Sequence, residues 1–208
     1  MIVRKIAALF VEADGCYAGQ PDIDSWDITR DARLYAGPYP VVAHPPCERW
    51  GRYWSGGPSA KIRRRKGDDG GCFAAALAAV MRYGGVIEHP EASHAWQHFG
   101  IAKPPRSGGW IPIGIDGVTW TCCVEQGHYG HRARKATWLL VHGCAHPPDL
   151  VWGPSRDKMR LDCGYHSAYE RRMAVGRVPL PRISRHERIA TPIPFRDLLL
   201  ILARDCNT

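Results

Sequence analysis

The sequence predicts an α/β protein built on a central sheet. Short apolar segments that are typical of buried strands alternate along the chain with polar loops and with one alanine-rich segment of helical length. Polar segments follow two of these strands directly, and a third precedes another strand. In such folds the chemistry lies at the carboxyl ends of the strands. We expect a core over residues 1–147 that carries the functional site, and a basic, irregular extension over residues 148–208 that ends in a helix packed on the core.

The elements are predicted from apolar runs and from the residues that end them. Residues 6–11 and 39–43 are short, apolar and strand-like, and the second run is followed by prolines, which lack the N–H groups that a ladder needs. Residues 14–40 are rich in Asp, Gly and Pro, which predicts loop or short helix. The other predicted elements are a helix over 72–83, strands over 86–87, 118–124 and 136–142, and a closing helix over 195–203.

The composition excludes several classes of protein. The 208 residues are 45% hydrophobic and 23% charged, which rules out a disordered or collagen-like chain. The longest apolar stretch, residues 73–81, is far short of the ~20 residues that span a bilayer, so we expect no membrane contact and a cytoplasmic protein. The 8 cysteines show no repeated Cys-x-x-Cys spacing, which favours free thiols.

Basic residues are concentrated in a few segments of the chain. In total 28 Lys and Arg stand against 20 Asp and Glu, a net charge of +8, and the densest run covers residues 61–66 with Arg63, Arg64 and Arg65. The chain also has 8 Trp and 8 Tyr. Phosphates attract the cations and unpaired bases stack on aromatic rings, so we expect a nucleic acid as the partner, against the alternative of a solvated basic surface.

Two segments carry residues with reaction chemistry. Pro45-Pro46-Cys47 follows a strand and holds a thiol on a stiff turn, from which its thiolate form can attack an electron-poor carbon. Glu88, followed by His89, ends a second strand and offers a carboxylate. Each segment also has an ordinary structural explanation, namely a proline turn with an incidental cysteine and an acid that is solvated or caps a helix.

A third such segment is the polar loop that precedes the strand at 136–142. It offers convergent hydrogen-bond donors for a carbonyl or a phosphate, and its ordinary explanation is a basic hairpin loop. These candidate binding residues are Gln126, Tyr129, His131, Arg132, Arg134 and Lys135.

Together the three segments resemble the cytosine-5 DNA methyltransferases, and most of all the small phage-encoded relatives of that family. The likeness covers about residues 6–143 and rests on the order and approximate spacing of Pro-Pro-Cys, Glu-His-Pro, and Tyr-Gly-His with a downstream Lys and Thr. It implies a compact Rossmann-like sheet of the methyltransferase type and, for a phage-encoded protein, a location in the host cytoplasm.

The resemblance implies a reaction on cytosine in DNA. Cys47 looks like the nucleophile that adds to C6 of the base, and Glu88 looks like the residue that protonates or holds N3. Arg132 or Arg134 looks like the arginine that binds the base or a phosphate. The other implied substrate contacts are Pro45, Pro46, His89, Gln126, Tyr129, His131, Lys135, Arg63, Arg64 and Arg65.

The implied methyl donor is S-adenosylmethionine, held by a glycine-rich turn to which Phe10, Gly15 and Gly19 correspond. Glu12 and Asp14 replace two glycines of that turn, and we expect their side chains to crowd the methyl donor and oppose its carboxylate. Three hypotheses follow. The chain binds S-adenosylmethionine in an altered pocket; or it uses the same Cys–Glu activation with another electrophile or with water at C4; or it is a non-catalytic DNA-binding relative.

We expect no metal ion, but one alternative uses zinc. Its ligands would come from a set of His and Cys residues whose spacing matches no standard zinc finger. The members of this set are His142, Cys144, His146, Cys163 and His166.

Overall fold

The computed structural model describes residues 4–56, 61–62, 64–156, 159, 161, 172–173, 175 and 183–206. Within these ranges the chain is a mixed α/β protein whose seven strands form one sheet flanked by helices. The strands are β1 (Ile6–Leu9), β2 (Ile23–Trp26), β3 (Val41–Ala43), β4 (Gly85–Pro90), β5 (Ile111–Pro112), β6 (Thr119–Glu125) and β7 (Ala136–His142). The helices of these ranges are α1 (Cys72–Tyr83), α2 (His94–His98), α3 (Arg185–Ile189) and α4 (Ile193–Arg204), with short 3-10 helices at Ala32–Leu34 and Gln126–Tyr129.

The strand order across the sheet is β2-β1-β3-β4-β7-β6-β5. The first four strands in this order are parallel, whereas β7 is antiparallel to β4, β6 to β7 and β5 to β6. Because β7 runs opposite to β4, Thr137 near its start pairs with Pro90 at the end of β4. The ends of β1, β3 and β4 therefore share one edge of the sheet, which we call the carboxyl edge, with the loop that precedes β7.

Most of the predicted elements are confirmed, and α1 and β7 have the predicted bounds. The prediction was wrong for residues 14–40, which contain β2. In this strand Ile23 is buried, while Asp24, Ser25 and Trp26 are half-buried. An edge strand of this kind forms because it pairs with β1 and not because its own residues make an apolar run, so the local pattern did not indicate it.

Helices cover both faces of the sheet. Side chains from α1 and α2 pack against β1, β4 and β7 on one face, and those from α4 pack against β1, β3 and β4 on the other. Burying a large apolar side chain contributes about 1.5–3 kcal/mol each. The buried helix residues are Phe73, Ala76, Val80, Ala95 and Trp96 on the first face, and Phe195, Leu199, Leu202 and Ala203 on the second.

The connections around α1 bring β4 close to β3. The Asp69 carboxylate accepts hydrogen bonds from the backbone N–H of Phe73 (2.9 Å) and from Trp50 Nε1 (2.7 Å), which joins the start of α1 to the segment after Cys47. At the start of β4, Gly85 has a φ of 132°, and a Cβ atom there would lie 2.0 Å from the carbonyl oxygen of Val41. Only glycine allows this close approach, which sets the end of β4 beside the end of β3.

Candidate active site at the carboxyl edge

Cys47 lies on a tight turn just beyond the end of β3. Its carbonyl oxygen accepts hydrogen bonds from the backbone N–H groups of Trp50 (3.0 Å) and Gly51 (2.8 Å), and its side chain is half-buried. Burial raises the pKa of the thiol, the carboxylate of Glu88 raises this pKa further, and the ammonium group of Lys135 lowers it. The pKa of Cys47 is raised overall, and the nearby cation offsets part of this rise in favour of the reactive thiolate form.

Glu88 extends from β4 toward the same edge, with 12% of its side chain exposed. Its Oε2 lies 3.0 Å from Nδ1 of His44, and its Oε1 accepts a hydrogen bond from Nε2 of Gln126 at 3.2 Å. Burial alone would raise the pKa of Glu88, but the hydrogen bond and charge of His44, helped by Lys135, bring this pKa down to about 2. At neutral pH Glu88 is thus a carboxylate that accepts hydrogen bonds.

His44 and Tyr17 belong to this site although they were not predicted as site residues. Nε2 of His44 lies 2.9 Å from the hydroxyl of Tyr17, which is buried and whose pKa is raised well above its usual value by burial. On the other side of Glu88, Nε2 of Gln126 donates to the hydroxyl of Thr137 at 3.0 Å. Tyr17, His44, Glu88, Gln126 and Thr137 form a continuous series of hydrogen bonds, which we call the edge network.

Lys135 supplies the cation of the site. Its side chain is half-buried, and Nζ donates to the carbonyl oxygen of Ala190 at 3.1 Å and, at 3.4 Å, to that of Ile189. Burial lowers the pKa of this ammonium group, while Glu88 and Cys47 both raise it. Lys135 thus interacts electrostatically with both the thiol and the carboxylate, and Glu88 also acts on the thiol.

Arg132 and Arg134 make their described contacts elsewhere. Arg132 is exposed and forms an ion pair with Glu187 at α3. Nε of Arg134 donates to the carbonyl oxygen of Ser155 at 2.9 Å. In the described structure, the position that the resemblance gave to an arginine beside the thiol is therefore taken by Lys135. The sequence did not indicate which of the three neighbouring basic residues in this irregular loop lies near Cys47.

Tyr129 and His131 fix the loop itself. His131 is buried; its Nδ1 accepts from the backbone N–H of Ala133 at 3.0 Å, and its Nε2–H donates to the carbonyl oxygen of Glu187 at 3.1 Å. Burial lowers the pKa of His131, in keeping with this neutral form. The hydroxyl of Tyr129 accepts from the backbone N–H of Val151 at 3.1 Å. Both side chains bind backbone, so their described contacts hold the loop in place.

His89 lies on the opposite face of β4 from Glu88. It is buried, its Nδ1 lies 2.7 Å from the hydroxyl of Ser93, and its ring packs against Phe73 and Trp96. Burial lowers the pKa of His89 to about 4, against the opposing effect of Glu88 and of the carbonyl groups of Pro45 and Pro46. In place of the implied substrate contact, this neutral ring supports the Pro45-Pro46 turn from behind.

The basic run lies in the segment that connects Cys47 to α1. Arg64 and Arg65 are exposed, whereas Arg63 lies outside the described residues. In the same segment Tyr53 is 52% exposed with the guanidinium of Arg52 5.7 Å from its ring centre, and the ammonium of Lys66 lies 5.9 Å from the ring of Trp54. Cations and partly exposed rings therefore alternate in the segment that follows the thiol turn.

The turn after β1 does not fit S-adenosylmethionine as the resemblance implies. The backbone N–H of Gly15 is bonded to the carbonyl oxygen of Glu12, and a Cβ atom on Gly15 would lie 3.1 Å from that oxygen, so the turn fills its own space. Tyr17 lies buried beside His44, and Phe10 and Gly19 have positive φ values of 59° and 70°. Glu12 and Asp14 are exposed. We therefore derive no step through this methyl donor.

The zinc hypothesis gains no support from the described residues. Nδ1 of His142 is bonded to the hydroxyl of Thr119 at 2.7 Å, and Cys144 is buried. Cys163 and His166 lie outside the described residues. Among the residues that are described, no group of three or more His, Cys, Asp or Glu side chains is arranged to hold a metal ion.

Comparisons with known proteins add no family to this description. No model of a known protein family matches the chain, and no curated protein matches it either. Nor does any helix in the described ranges combine the length and the apolar character needed to cross a membrane. The fold and site thus define an α/β protein with a thiol, a carboxylate and an ammonium group at the carboxyl edge of its sheet.

Proposed function

We propose that this protein is a DNA-modifying enzyme that activates cytosine by covalent addition. The thiolate of Cys47 adds to C6 of the base, and Glu88 binds the ring at N3. The observation that carries the proposal is the placement of the Cys47 turn after β3, of Glu88 on β4 and of Lys135 before β7 at one carboxyl edge, where Glu88 and Lys135 shift the pKa of Cys47 in opposite directions. Addition to C6 turns C5 into an enamine-like carbon, which accepts an electrophile that cytosine itself does not attack.

Each of the three residues has a separate task in this reaction. Lys135 favours the thiolate, because its positive charge lowers the pKa of Cys47. Glu88 is ionised, so it accepts a hydrogen bond from the N3–H group that forms as this nitrogen gains a proton. Gln126 fixes the carboxylate by donating to Oε1 at 3.2 Å. Together these contacts favour the covalent adduct over the free base.

The sheet supports the finer fold that the resemblance implies, a Rossmann-like sheet of the methyltransferase type. The thiol turn follows β3 and the carboxylate ends β4, and these are neighbouring parallel strands. The reversed strand β7 then brings Lys135 to the same edge. A base in a duplex cannot enter such an edge site, so it must leave the stack, and the exposed Arg64 and Arg65 suit the phosphates beside it.

The activation step is tested without any methyl donor by using DNA that contains 5-azacytosine. The thiolate adds to C6 of this base, the electron pair moves onto the ring nitrogens, and a ring nitrogen takes up a proton, so the adduct needs no transferred group. We expect the wild type to form a protein–DNA adduct with a pool of random-sequence oligonucleotides, single-stranded and duplex, and peptide mass spectrometry to locate it at Cys47. Cys47→Ser should form none.

The matched control is Cys72→Ser, which removes another half-buried cysteine, at the start of α1. It should form the adduct at the wild-type rate. Failure of the wild type to form the adduct at any pH, or adduct formation by Cys47→Ser, would overturn the proposed function. If the wild type binds DNA but forms no adduct, the protein is a DNA-binding protein without this chemistry.

The group that the enzyme transfers is identified by mass spectrometry of nucleosides from the DNA of cells that express the protein. We expect a modified cytosine in cells with the wild type and none in cells with Cys47→Ser. A mass increase of one methyl group would assign a methyltransferase despite the altered turn after β1. Any other mass would assign a different electrophile.

A further inference from the structure

His44 has no role in the activation step as described so far, yet it is one of the two side chains bonded to Glu88. Its ring spans a partner on β4 and a partner in the turn after β1, with Nδ1 3.0 Å from Glu88 Oε2 and Nε2 2.9 Å from the hydroxyl of Tyr17. Only 14% of the His44 side chain is exposed. Because both ring nitrogens of His44 are hydrogen-bonded in a half-buried site, the orientation of the ring is fixed.

The partners of His44 suit both of its protonation states. As an imidazolium, His44 donates from Nδ1 to the Glu88 carboxylate and from Nε2 to the oxygen of Tyr17. A neutral ring that has given up its Nδ1 proton keeps the proton on Nε2, which still donates to the oxygen of Tyr17. The Tyr17 oxygen therefore accepts in both states and holds the ring in place while the Nδ1 proton moves. The ring can lose its Nδ1 proton without losing the hydrogen bond that orients it.

Glu88 requires such a partner if N3 of the base is to become protonated. Because its pKa is about 2, Glu88 carries no proton at neutral pH. Its other hydrogen-bond donor in the described structure is the Gln126 amide, which does not ionise. The ammonium of Lys135 is directed to the carbonyl groups of Ile189 and Ala190. His44 is therefore the ionisable group in direct hydrogen-bond contact with the carboxylate.

We propose that His44 is the positioning residue that supplies, through Glu88, the proton taken up by N3 when Cys47 adds to C6. This inference rests on the proposed function. The S–C6 bond forms and the C5=C6 π bond breaks, and its electron pair is delocalised through C4 onto N3. N3 takes a proton from Glu88 as Glu88 takes the Nδ1 proton of His44. The thiolate and the imidazolium both become neutral, so charge and protons balance, and elimination of Cys47 returns the proton to His44.

Several other ionisable groups surround this series and enter any pH dependence. Lys135 lies beside Glu88, His89 lies on the other face of β4, and Cys47 shares the loop of His44. Beside Tyr17 are Cys16, Arg196 and Asp197. The test must therefore compare variants at each pH and not rely on the wild-type profile alone.

The test measures the rate of adduct formation with 5-azacytosine DNA between pH 5 and pH 10 for the wild type and His44→Gln. Gln keeps a hydrogen-bond donor beside Glu88 but cannot supply a proton. Because acid catalysis by a positioned side chain contributes on the order of 10²-fold or more, we expect a loss of about 100-fold at low pH. The ratio of the two rates should then fall as the pH rises, because the wild type loses the acid that distinguishes it from the variant. A purely structural role predicts a ratio that is the same at every pH.

Two further variants keep the result interpretable. Tyr17→Phe removes the hydroxyl that accepts from Nε2 and orients the ring, so its pH–rate profile should move toward that of His44→Gln, and it tests the contact even if His44→Gln folds poorly. His142→Gln is the matched control, because His142 is also 14% exposed and lies at the opposite end of β7. It should match the wild type throughout. A constant rate ratio for His44→Gln, or an unmoved profile for Tyr17→Phe, would overturn the proton transfer and leave the proposed function intact. Absence of any wild-type adduct would overturn both.

Discussion

Glu88 and His89 are consecutive residues of β4, yet their side chains lie on opposite faces of the sheet, where their surroundings favour opposite states, charged for Glu88 and neutral for His89. Glu88 meets His44, Gln126 and the charge of Lys135, and its pKa falls to about 2, so it is held in its charged form. His89 meets the rings of Phe73 and Trp96, and its pKa falls to about 4, so it is held in its neutral form.

The difference shows that burial alone does not decide the charge of a group. Both side chains are withdrawn from water, but one finds ionic partners and the other finds aromatic rings and a hydroxyl. The face that carries Glu88 has the charged and hydrogen-bonding groups that are typical of a reaction site, whereas the face that carries His89 has the aromatic side chains that are typical of a core. Each prediction below contrasts these two faces or the edge that they share.

The largest effect is expected from replacing the carboxylate. Glu88→Gln keeps the shape of the side chain but removes the charge that stabilises protonated N3, so adduct formation with 5-azacytosine DNA should slow by about 100-fold or more. Glu91→Gln removes a nearby acid that pairs with Arg106 at 3.5 Å, and it should retain the wild-type rate. A Glu88→Gln rate within threefold of the wild type would show that the carboxylate is not part of the chemistry.

The second effect is on stability in acid, and it falls in a different pH range for each face. The lowered pKa of His89, about 4 against an ordinary 6.5, gives stability that is present above pH 6.5 and is lost as the pH falls toward 4. The lowered pKa of Glu88, about 2 against 4.5, gives stability that is present above pH 4.5 and is lost as the pH falls toward 2. Each loss is roughly 3 kcal/mol at most.

Urea unfolding at a series of pH values measures these losses. His89→Leu should reduce the decrease between pH 6.5 and 4, and Glu88→Gln should reduce the decrease between pH 4.5 and 2, because other histidines and carboxylates with lowered pKa values contribute the rest. His89→Leu also removes the hydrogen bond to Ser93, so it should be less stable at pH 7 by about 1–3 kcal/mol. Equal pH dependence in the wild type and both variants would contradict the contrast between the faces.

The third effect is on the pKa of the Cys47 thiol. Burial and Glu88 raise the pKa of Cys47, and Lys135 lowers it. Alkylation by iodoacetamide, followed at the Cys47 peptide by mass spectrometry, should therefore have its midpoint at higher pH in Lys135→Gln and at lower pH in Glu88→Gln than in the wild type. Shifts of the same sign in the two variants would refute the opposed charges that we assign to this edge.

The smallest effect is on DNA affinity. Arg65 is exposed beside the thiol turn, and Arg65→Gln should weaken binding a few-fold and reduce the slope of log K against log salt by about 0.9, the value for one phosphate contact. Arg82→Gln removes an exposed cation at the far end of α1, where it lies over the ring of Tyr83, and should leave the slope unchanged. Identical slopes for the two variants would show that Arg65 makes no phosphate contact.

The sequence predicted those parts of the fold and site that have a local signal. Apolar runs ended by glycine or proline give α1, β3 and β7, and alternation along β4 already implies that Glu88 and His89 face opposite sides. His44 had a signal as well, because it directly precedes the Pro-Pro-Cys turn and so enters the edge at which β4 ends.

Other parts depend on long-range contacts that no local pattern reports. Tyr17 reaches His44 only because β1 and β3 are adjacent, and β2 exists only because β1 offers it an edge. The choice of Lys135 over Arg132 and Arg134 as the cation of the site depends on α3, whose last residues lie more than fifty positions further along the chain.

That last contact has a consequence for how the protein is made. Tyr17 comes from the start of the chain, while the carbonyl groups that hold Lys135 belong to Ile189 and Ala190. A nascent polypeptide cannot assemble this site until residue 190 has emerged from the ribosome, however early the strands form. The site around Cys47 is therefore completed only after this region of the chain has been synthesised.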